Sequence, residues 1–334
     1  MKKNYIDNKT ILITGGTGSF GFNFTETILK NFNPKKIIIF SRDELKQSKM
    51  SEKLHKFAKK LRFFIGDVRD LERVKFALQN VDIIIHAAAL KQVSTAEYNP
   101  FEFIKTNVMG TQNIVDACLA SKVQRSILLS TDKAAAPVNL YGATKLVGDK
   151  IFISANNYSN KKFSVVRYGN VMMSRGSVIP KFIEQSKNKI IYITDKRMTR
   201  FSITLEQGVA FVIRCLNNMW GGELFVPKIP SYRILDVAKV FAPNAKIKYI
   251  GLLPGEKIHE EMITKTDSYN TIEFEDYYVI LPTAKNLLSW KFDDFIKSSS
   301  NKKGKYAEEN FSYNSLDNKE FLSPKQIKIL AKNI

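Results

Sequence analysis

Short, continuous apolar runs recur through the first half of the chain, separated by more polar stretches. The runs are rich in branched side chains and lie at residues 11–13, 37–40, 63–65, 83–85, 127–129 and 165–166. Such runs are typical of strands that are buried on both faces of a sheet. Because helical patterns lie between most of them, the chain predicts an α/β fold with a Rossmann-type, doubly wound parallel sheet.

One helical pattern lies between the fourth and fifth apolar runs. Its apolar and small side chains are spaced alternately four and three residues apart, from Ile104 to Cys118, which predicts an amphipathic helix. Asn99 is a suitable N-cap for this helix, Pro100 suits its first turn, and Glu102 completes a pattern like a capping box. We therefore expect the helix to begin at Asn99.

After about Tyr168 the alternation of strand and helix patterns fades. The chain is polar and rich in Lys and Asn after Leu281, and one late helical pattern lies at about 324–332. We expect residues 1–168 to form the sheet domain, whose core also takes later segments. Residues 169–334 are expected to form mainly a smaller C-terminal lobe and a tail.

The composition argues against several classes of protein. No apolar run approaches the ~20 residues of a membrane helix, and the N-terminus lacks the apolar segment of a signal peptide. We therefore expect a cytoplasmic protein without membrane contact. The two cysteines and three histidines are scattered along the chain, which predicts neither a disulfide framework nor a metal site.

The formal net charge of +20 raises the question of nucleic-acid binding. The lysines are spread along the chain rather than clustered, and we find no nucleic-acid-binding motif. The charge therefore favours a solvated surface, with an anionic small molecule as the second interpretation and nucleic acid as the least favoured one.

The first predicted strand leads into a glycine-rich turn. Gly15, Gly18 and Gly21 form a G-x-x-G-x-x-G pattern, with Ser19 and Phe20 between the last two glycines. Glycine permits a tight turn and lets the backbone approach a pyrophosphate closely, and the following helix presents free N–H groups to the anion. Because a buried strand precedes the pattern and an apolar helical stripe follows it, we expect these residues to bind a dinucleotide.

The end of the second predicted strand bears on which dinucleotide binds. An NAD site usually has a carboxylate there for the ribose hydroxyls, whereas this chain has Ser41 and Arg42, which favours the additional phosphate of NADP. Asp43 complicates this interpretation. In the alternative, Ser41 and Glu44 form a capping box and Asp43 only favours the start of a helix.

Small and polar residues follow the next two predicted strands. Asp67 and Val68 follow the third strand, where they can meet the adenine. Ala87 follows the fourth strand, where a small side chain allows a cofactor to pass closely. His86, at the end of that strand, is better interpreted as a packed residue than as a catalyst.

The fifth predicted strand ends in Thr131, Asp132 and Lys133, and a helix that Asn139 can cap then carries Tyr141 and Lys145. Four residues apart on a helix, Tyr141 and Lys145 lie about 5–6 Å from each other. Since a neighbouring ammonium lowers the pKa of a phenol, we expect Lys145 to make Tyr141 a usable proton acceptor. A surface salt pair is the alternative interpretation of Asp132 and Lys133.

Together these residues resemble the extended short-chain dehydrogenase/reductase family, and within it the inverting nucleotide-sugar 4,6-dehydratases. The resemblance covers about residues 9–280 and is carried by runs such as TGGTGSFG, SRDELKQ, STDKA, PVNLYGATK and RYGNV. The triplet TDK is the most specific part, because related glucose-type dehydratases have an acidic residue at the position of Lys133.

The resemblance implies that UDP-N-acetylglucosamine is converted to a 4-keto-6-deoxy sugar with inversion at C5, with NADP as an internal hydride carrier. Tyr141, beside Lys145, would take the proton of the 4-hydroxyl. Lys133, as a neutral amine, would remove the C5 proton, and Asp132, as a protonated acid, would donate to the departing 6-hydroxyl. Thr131 would orient the sugar.

The resemblance also implies contacts, a partner and a cellular role. Cofactor contacts are expected at Gly15, Gly18, Ser19, Phe20, Gly21, Ser41, Arg42, Asp43, Lys46, Asp67, Val68, Ala87, Lys91, Tyr141 and Lys145. Contacts with the UDP-sugar are expected at Lys91, Thr106, Thr131, Asn170, Arg175, Ser177, Asp195, Thr199, Arg200 and Glu256. A homo-oligomer is implied, in a route to pseudaminic acid for the glycosylation of flagellin.

The chain departs from the family pattern on the expected substrate side, whereas the cofactor motifs are intact. The departures are Gln92, Met172, Met173, Ser202 and Leu253. They motivate the hypothesis that the hydride chemistry is retained while the sugar nucleotide, or the affinity for it, differs.

Two other functions stay open at this point. A 4-epimerase, or a dehydratase of another sugar nucleotide, could use the same scaffold, and an epimerase would need Tyr141 and Lys145 but not Asp132 and Lys133. A non-catalytic sensor or scaffold that binds NADP is the alternative of a different class.

Overall fold

A ten-stranded sheet forms the centre of the computed structural model, which describes residues 4–172, 178–283, 290–298 and 304–332. The strands are β1 (Thr10–Thr14), β2 (Lys36–Ser41), β3 (Leu61–Ile65), β4 (Ile83–His86), β5 (Arg125–Thr131), β6 (Lys162–Tyr168), β7 (Asn170–Val171), β8 (Ile190–Ile193), β9 (Thr199–Ile203), β10 (Leu224–Pro227), β11 (Ser231–Arg233), β12 (Lys246–Tyr249), β13 (Glu261–Ile263), β14 (Thr271–Glu273), β15 (Tyr277–Ile280), β16 (Lys305–Tyr306) and β17 (Tyr313–Asn314). The α-helices are α1 (Ser19–Asn31), α2 (Glu44–Lys53), α3 (Leu71–Ala77), α4 (Val93–Tyr98), α5 (Pro100–Phe103), α6 (Gly110–Leu119), α7 (Leu140–Ser154), α8 (Val178–Ser186), α9 (Leu205–Asn218), α10 (Ile234–Phe241), α11 (Phe292–Ser298) and α12 (Pro324–Lys332).

The order of the strands defines where a ligand can bind. The sheet runs β16-β14-β15-β10-β6-β5-β4-β1-β2-β3, and it is parallel from β3 to β10. Strands β15, β14 and β16 continue it in antiparallel pairs. The chain direction across the sheet reverses between β1 and β4, so a crevice opens there at the carboxyl ends of the strands.

The predicted strands are confirmed, and their burial explains the sequence pattern. All six apolar runs lie in β1 to β6, in chain order. Ile11, Ile37 and Ile83, in three adjacent central strands, are fully buried, as strands covered by helices on both faces require. Strand β3 lies at the edge of the sheet, which is why its side chains are only partly buried.

The helix predicted after Asn99 is confirmed, since helical backbone runs from Pro100 to Leu119 with Asn99 as the N-cap residue, but it is not a regular α-helix throughout. Helix α5 is followed by a π-helix at Ile104–Met109, and α6 begins only at Gly110. The Asn99 side chain makes no cap hydrogen bond to α5. Glu102 instead forms ion pairs with neighbouring basic side chains.

The π-helix is hydrogen-bonded to the segment that follows the carboxyl end of β4. The side-chain amide of Asn107 accepts a hydrogen bond from the Leu90 N–H and donates one to the Leu90 carbonyl, both at 2.9 Å. Thr111 lies 3.2 Å from Nε2 of His86, and Thr14 lies 2.7 Å from its Nδ1. Burial lowers the pKa of His86 to about 3, so this histidine is a neutral packed residue, as expected.

The second half of the chain contributes both to the sheet and to a separate apolar cluster. Strands β10, β14, β15 and β16 belong to the central sheet. A second cluster, which includes Met172, Phe182, Ile191, Val237 and Ile327, packs apart from the main core. The late helix predicted near residues 324–332 is confirmed as α12. The boundary at residue 168 stays a prediction.

The described residues place limits on other functions. None of their helices combines the length and the hydropathy that crossing a membrane requires. Within the same parts of the chain, no group of three or more His, Cys, Asp or Glu side chains could hold a metal ion.

A buried ion pair joins α7 to β6 beneath the ligand crevice. Arg167 Nη2 lies 3.2 Å from Asp149 Oδ2, and both side chains are almost fully buried. Ser130 donates to the same carboxylate at 2.8 Å. Removing one partner leaves an uncompensated buried charge.

We expect Asp149→Ala to lower the free energy of unfolding by about 3 kcal/mol or more, because Arg167 loses its counter-ion. Denaturant titration of the purified protein measures this loss. Asp116→Ala, on α6, is the control, because the half-buried Asp116 carboxylate accepts a hydrogen bond from the exposed Gln112 amide. This change should alter stability by less than about 0.5 kcal/mol. Equal stability of the Asp149 variant and the unaltered protein would contradict this role.

Candidate active site

A cavity of about 1040 Å³ lies along the carboxyl ends of the parallel strands. One end is formed by the glycine-rich turn after β1 and the residues after β2 and β3. The other end is formed by segments of the second half of the chain, among them residues 253–257. Its size is at the upper end of the range for small-molecule sites, as a dinucleotide and a second ligand together require.

The glycine-rich turn has the backbone geometry that a pyrophosphate needs. Gly15 has a φ of 63°, and a Cβ there would lie 3.0 Å from the backbone of Ala88. A Cβ on Gly21 would lie 2.5 Å from the backbone of Gly16. Gly18 is the N-cap of α1 and supplies no side-chain cap, so the first turn of α1 can offer its N–H groups to an anion at the cavity wall.

The residues expected near the adenosine surround one end of the cavity. They are Ser41, Arg42, Asp43, Lys46, Asp67 and Val68. The interpretation of Ser41 and Glu44 as a capping box is wrong. Asp43 caps α2 instead, by accepting a hydrogen bond of 2.9 Å from the Lys46 N–H.

The charged side chains at this end of the cavity form ion pairs with one another. Arg42 Nη1 lies 3.6 Å from Asp67 Oδ2, and the Arg42 side chain is 56% exposed. Partial burial raises the pKa of Asp67, but hydrogen bonds from Arg69 and the charges of Arg69 and Arg42 outweigh burial and leave this pKa below its usual value. Asp43 also forms an ion pair with Lys46, so both of its oxygens are engaged.

The triplet of Thr131, Asp132 and Lys133, at the end of β5, lies at the cavity wall and directly behind it. Lys133 lines the wall, and Asp132 lies directly behind it with no exposed surface. Lys133 Nζ lies 3.0 Å from Asp132 Oδ1, and Thr131 donates to the same oxygen at 3.0 Å. Asp132 Oδ2 has no hydrogen-bond partner among the residues that the structure describes. A surface salt pair is therefore the wrong interpretation of Asp132 and Lys133.

Sequence reasoning missed Glu260, which also binds Lys133. The Lys133 Nζ lies 3.1 Å from Glu260 Oε1, and Arg200 Nε lies 3.6 Å from the same oxygen. Glu260 lines the cavity and is 2% exposed. It immediately precedes β13, far along the chain from the triplet. The nearest sequence signal is the acidic character of residues 256–261, which does not distinguish Glu260 from its neighbours.

Helix α7 presents Tyr141 and Lys145 to the cavity. Asn139 caps the helix, as expected, by accepting a hydrogen bond of 2.8 Å from the Gly142 N–H. Lys145 Nζ donates to the Leu129 carbonyl at 2.7 Å, which holds the ammonium against the end of β5.

The expected influence of Lys145 on Tyr141 is corrected by the structure. Burial raises the pKa of Tyr141 to about 12, and the ammonium of Lys133 and a hydrogen bond with Thr131 are the main influences that oppose this rise. Lys133 is therefore the cation that mainly lowers the pKa of Tyr141. The ammonium of Lys145 is directed to the Leu129 carbonyl instead.

The expected protonation state of Lys133 is also corrected, whereas the pKa of Asp132 changes in the direction that was expected. Burial lowers the pKa of Lys133, but the carboxylates of Asp132 and Glu260 outweigh burial and raise this pKa above its usual value. Lys133 is thus an ammonium in this arrangement and not the expected neutral amine. Burial raises the pKa of Asp132, and this outweighs the opposing charge of Lys133.

Most of the expected substrate residues lie at the cavity, and others do not. Those in its wall are Lys91, Thr106, Thr131, Asn170, Arg200 and Glu256. The Thr106 hydroxyl is buried with no hydrogen-bond partner in the described parts of the chain. Arg175 and Ser177 lie outside the described residues.

Asp195 and Thr199 lie outside the cavity wall. Asp195 forms a bidentate interaction with Arg197, with Nη2 and Oδ2 at 2.7 Å. The Thr199 hydroxyl lies 2.8 Å from the His259 ring and 2.7 Å from Ser315 Oγ. These bonds direct both side chains to the loops around β9.

Of the departures from the family pattern, Gln92, Met172 and Leu253 lie in the cavity wall. Ser202 lies within β9 and is buried, with its N–H bonded to the Pro230 carbonyl. Met173 lies outside the described residues.

The doubly wound sheet, the glycine-rich turn and the Tyr141–Lys145 pair beside one cavity define the extended short-chain dehydrogenase/reductase class. The model of a family described as "Polysaccharide biosynthesis protein" matches residues 11–282. The chain belongs to this family.

Individual relatives share most of the chain. A protein of Campylobacter jejuni named UDP-N-acetylglucosamine 4,6-dehydratase (inverting) is 52% identical, over 96% of each chain. A protein of Rickettsia canadensis named UDP-glucose 4-epimerase is 42% identical, over 84% of this chain and 85% of its own. The X-ray structure of Pen from Bacillus thuringiensis superposes with a TM-score of 0.88 at 37% identity, over 98% of both chains.

Proposed function

We propose that the chain is an inverting nucleotide-sugar 4,6-dehydratase that acts on UDP-N-acetylglucosamine. The observation that carries the proposal is that Lys133 and Tyr141 line one cavity beside a dinucleotide-binding turn, with Asp132 buried behind the wall and 3.0 Å from Nζ of Lys133. A 4-epimerase needs only the phenol and its lysine. An acid and an amine at the same place supply the two proton transfers that the loss of water requires.

Tyr141 and Thr131 act on the sugar 4-hydroxyl. Tyr141 first loses its own proton to solvent, and the resulting phenolate, which the ammonium of Lys133 stabilises, takes the hydroxyl proton as C4 is oxidised. Thr131, which is hydrogen-bonded to Tyr141, orients the group. A dinucleotide held at Gly15, Gly18 and Gly21 would supply the hydride chemistry at C4 and C6, with no net change in its oxidation state. The C4 ketone makes the neighbouring C5–H acidic.

Lys133 and Asp132 then carry out the elimination. Transfer of one proton from Lys133 to Asp132 across their 3.0 Å contact converts the ion pair into an amine and a carboxylic acid. Nζ of Lys133 takes the C5 proton, the electron pair forms the C5–C6 double bond, and Asp132 donates its proton to the departing 6-hydroxyl as water. The elimination thus restores the ion pair. Addition of hydride at C6 would then leave C5 to take a proton from solvent on the opposite face of the ring, which gives the inverted configuration.

NADP is proposed as the cofactor in preference to NAD. Arg42 and Lys46 place two cations at the cavity end where a ribose phosphate would lie. Asp43, the only carboxylate at residues 41–43, is engaged by Lys46 and by its cap hydrogen bond. It is therefore poorly placed to accept hydrogen bonds from ribose hydroxyls.

We expect Arg42→Ala to weaken NADP binding by about 10-fold or more, since a hydrogen bond to a charged group contributes about 1.5–3 kcal/mol. NAD, which lacks the phosphate, should bind with nearly unchanged affinity. Calorimetry with both dinucleotides measures the ratio. Arg73→Ala is the matched control, because the Arg73 side chain is directed to the Ile65 carbonyl. Equal losses for NADP and NAD would contradict the assignment.

The mass of the product tests the function. Incubation with UDP-N-acetylglucosamine should give a product lighter by one water, whereas a 4-epimerase gives a product of unchanged mass. Absence of any 4-keto product, with the dinucleotide bound, would support the non-catalytic alternative. A panel of other nucleotide sugars tests whether Gln92, Met172 and Leu253 alter the preferred substrate, and ordinary affinity for UDP-N-acetylglucosamine alone would remove that hypothesis.

The cellular role is proposed on the same resemblance. The product would enter a route to pseudaminic acid for flagellin glycosylation, in the cytoplasm, and the enzyme would act as a homo-oligomer. These statements depend on the dehydratase assignment and fail with it.

A further inference from the structure

Two buried carboxylates, one on Asp132 and one on Glu260, contact the ammonium of Lys133. Asp132 Oδ1 lies 3.0 Å from Nζ and Glu260 Oε1 lies 3.1 Å from it. The elimination uses one acid and one base, which Asp132 and Lys133 already supply. The second carboxylate, on Glu260, is not used in that scheme and calls for a function of its own.

Glu260 is held in place independently of Lys133. Its backbone N–H donates to Ser315 Oγ at 2.9 Å. Arg200 Nη1 and Nη2 donate to the carbonyls of Ile258 and Lys257 at 2.9 and 3.0 Å, which fixes the segment just before Glu260. The carboxylate therefore has a defined position before any substrate binds.

The two carboxylates differ in their cationic neighbours. Glu260 lies beside both Lys133 and Arg200, whereas the ion pair of Asp132 is with Lys133. Burial raises the pKa of Glu260, but Lys133 and Arg200 outweigh burial and hold this pKa below its usual value. The pKa of Asp132 is raised by its burial. Glu260 is thus the acid that keeps its charge, and Asp132 is the one that can carry a proton.

We propose that Glu260 is a positioning residue for the elimination step, whose carboxylate holds Nζ of Lys133 in place and keeps on the Lys133–Asp132 pair the proton that Asp132 donates to the departing hydroxyl. The inference rests on the proposed dehydratase function and deepens it. Glu260 Oε1 lies 3.1 Å from Nζ, and its negative charge opposes the loss of a proton from the pair while that proton moves between Lys133 and Asp132. A carboxylate that is already in place does this without reorganisation.

Several other titratable or charged side chains lie around Lys133 and are electrostatically coupled to it or to its carboxylate partners. They are Asp132 and Tyr141, with Lys91, Arg200, Tyr232 and Lys257 from the surrounding elements. The negative charge of Glu260 favours the protonated forms of both Lys133 and Asp132. Without that charge, the Lys133–Asp132 pair loses its shared proton at a lower pH. The alkaline limb of the pH profile of kcat therefore moves to lower pH.

Glu260→Gln tests the proposal in the full chain with cofactor bound. We expect the rate of 4-keto-6-deoxy product formation to fall about 10-fold or more, and the alkaline limb of kcat to move down by about one pH unit or more. C4 oxidation should persist, so the absorbance of reduced nicotinamide should build up during a single turnover. With C5-deuterated substrate, the isotope effect on product formation should rise, because C5–H cleavage becomes slower.

Glu223→Gln is the matched control. Glu223 is equally buried, but it holds the loop of Trp220 and Gly221 and the Ser164 hydroxyl, away from the cavity. This variant should lose stability and keep both the pH limb and the isotope effect.

An unchanged alkaline limb and an unchanged isotope effect in folded Glu260→Gln would overturn the proposal. If that variant does not fold, Glu260→Asp replaces it, since the shorter carboxylate retains the charge but withdraws from Nζ. Its C5 isotope effect is then expected to rise, and an unchanged effect overturns the proposal. Failure of the unaltered enzyme to form any 4-keto product is a different result, which removes the proposed function itself.

Discussion

Lys133→Met is expected to lower the rate of 4-keto-6-deoxy product formation by about 10³-fold, within the range for loss of a general base. Methionine retains an unbranched apolar stem but cannot accept the C5 proton. Oxidation at C4 should continue but more slowly, because Tyr141 is intact but loses the ammonium that opposes the rise of its pKa. Mass spectrometry of the product measures the loss of water, and nicotinamide absorbance measures the oxidation.

Lys161→Met is the control for this variant. Lys161 Nζ donates to three backbone carbonyls, of Cys118, Leu119 and Ser121, and it is not part of the cavity wall. Its replacement should affect stability and leave the dehydration rate nearly unchanged. Equal dehydration rates in the two variants would show that Lys133 is not the base.

Tyr141→Phe should impair the oxidation at C4, which is the first step, rather than only the later loss of water. Without the phenol oxygen, the proton of the sugar 4-hydroxyl has no acceptor, and we expect both nicotinamide reduction and product formation to fall by about 10²-fold or more. Stopped-flow absorbance with UDP-N-acetylglucosamine measures the reduction directly.

Tyr313→Phe is the matched control, because the Tyr313 hydroxyl is also buried but bonds the Ile229 backbone. It should retain nicotinamide reduction and lose about 1 kcal/mol of stability. If Tyr141→Phe reduced the nicotinamide at the normal rate, the phenol would have no role in the oxidation.

The sheet and the dinucleotide turn were predictable because both depend on local sequence. Strands buried on both faces need continuous apolar runs, and Ile11, Ile37 and Ile83 show this burial. Gly15 and Gly21 occupy positions where a Cβ would meet neighbouring backbone, so the glycine spacing reports the geometry directly.

The complete set of catalytic neighbours was not predictable, because it depends on contacts between distant segments. Glu260 reaches Lys133 only after β13 packs beside the turn that follows β5. The protonation state of Lys133 depends on the same contact. The expectation of a neutral amine did not include the carboxylate of Glu260. The pattern of spacing also could not show that Thr199 bonds His259 and Ser315 instead of facing the cavity.

The π-helix before α6 shows a third kind of limit. Its apolar spacing is compatible with a regular helix and does not indicate the π-helical turn, from which the Asn107 side chain makes two hydrogen bonds to the Leu90 backbone. Those bonds tie the segment to the end of β4, and π-helical turns of this kind are frequent at functional sites.

The fate of the C5 hydrogen in deuterated water tests the central claim most directly. If Lys133, Asp132 and Tyr141 act together, incubation with UDP-N-acetylglucosamine should give a 4-keto-6-deoxy product with solvent deuterium at C5 and inverted configuration, read by NMR. A product that keeps its 6-hydroxyl and its original C5 hydrogen would contradict the account.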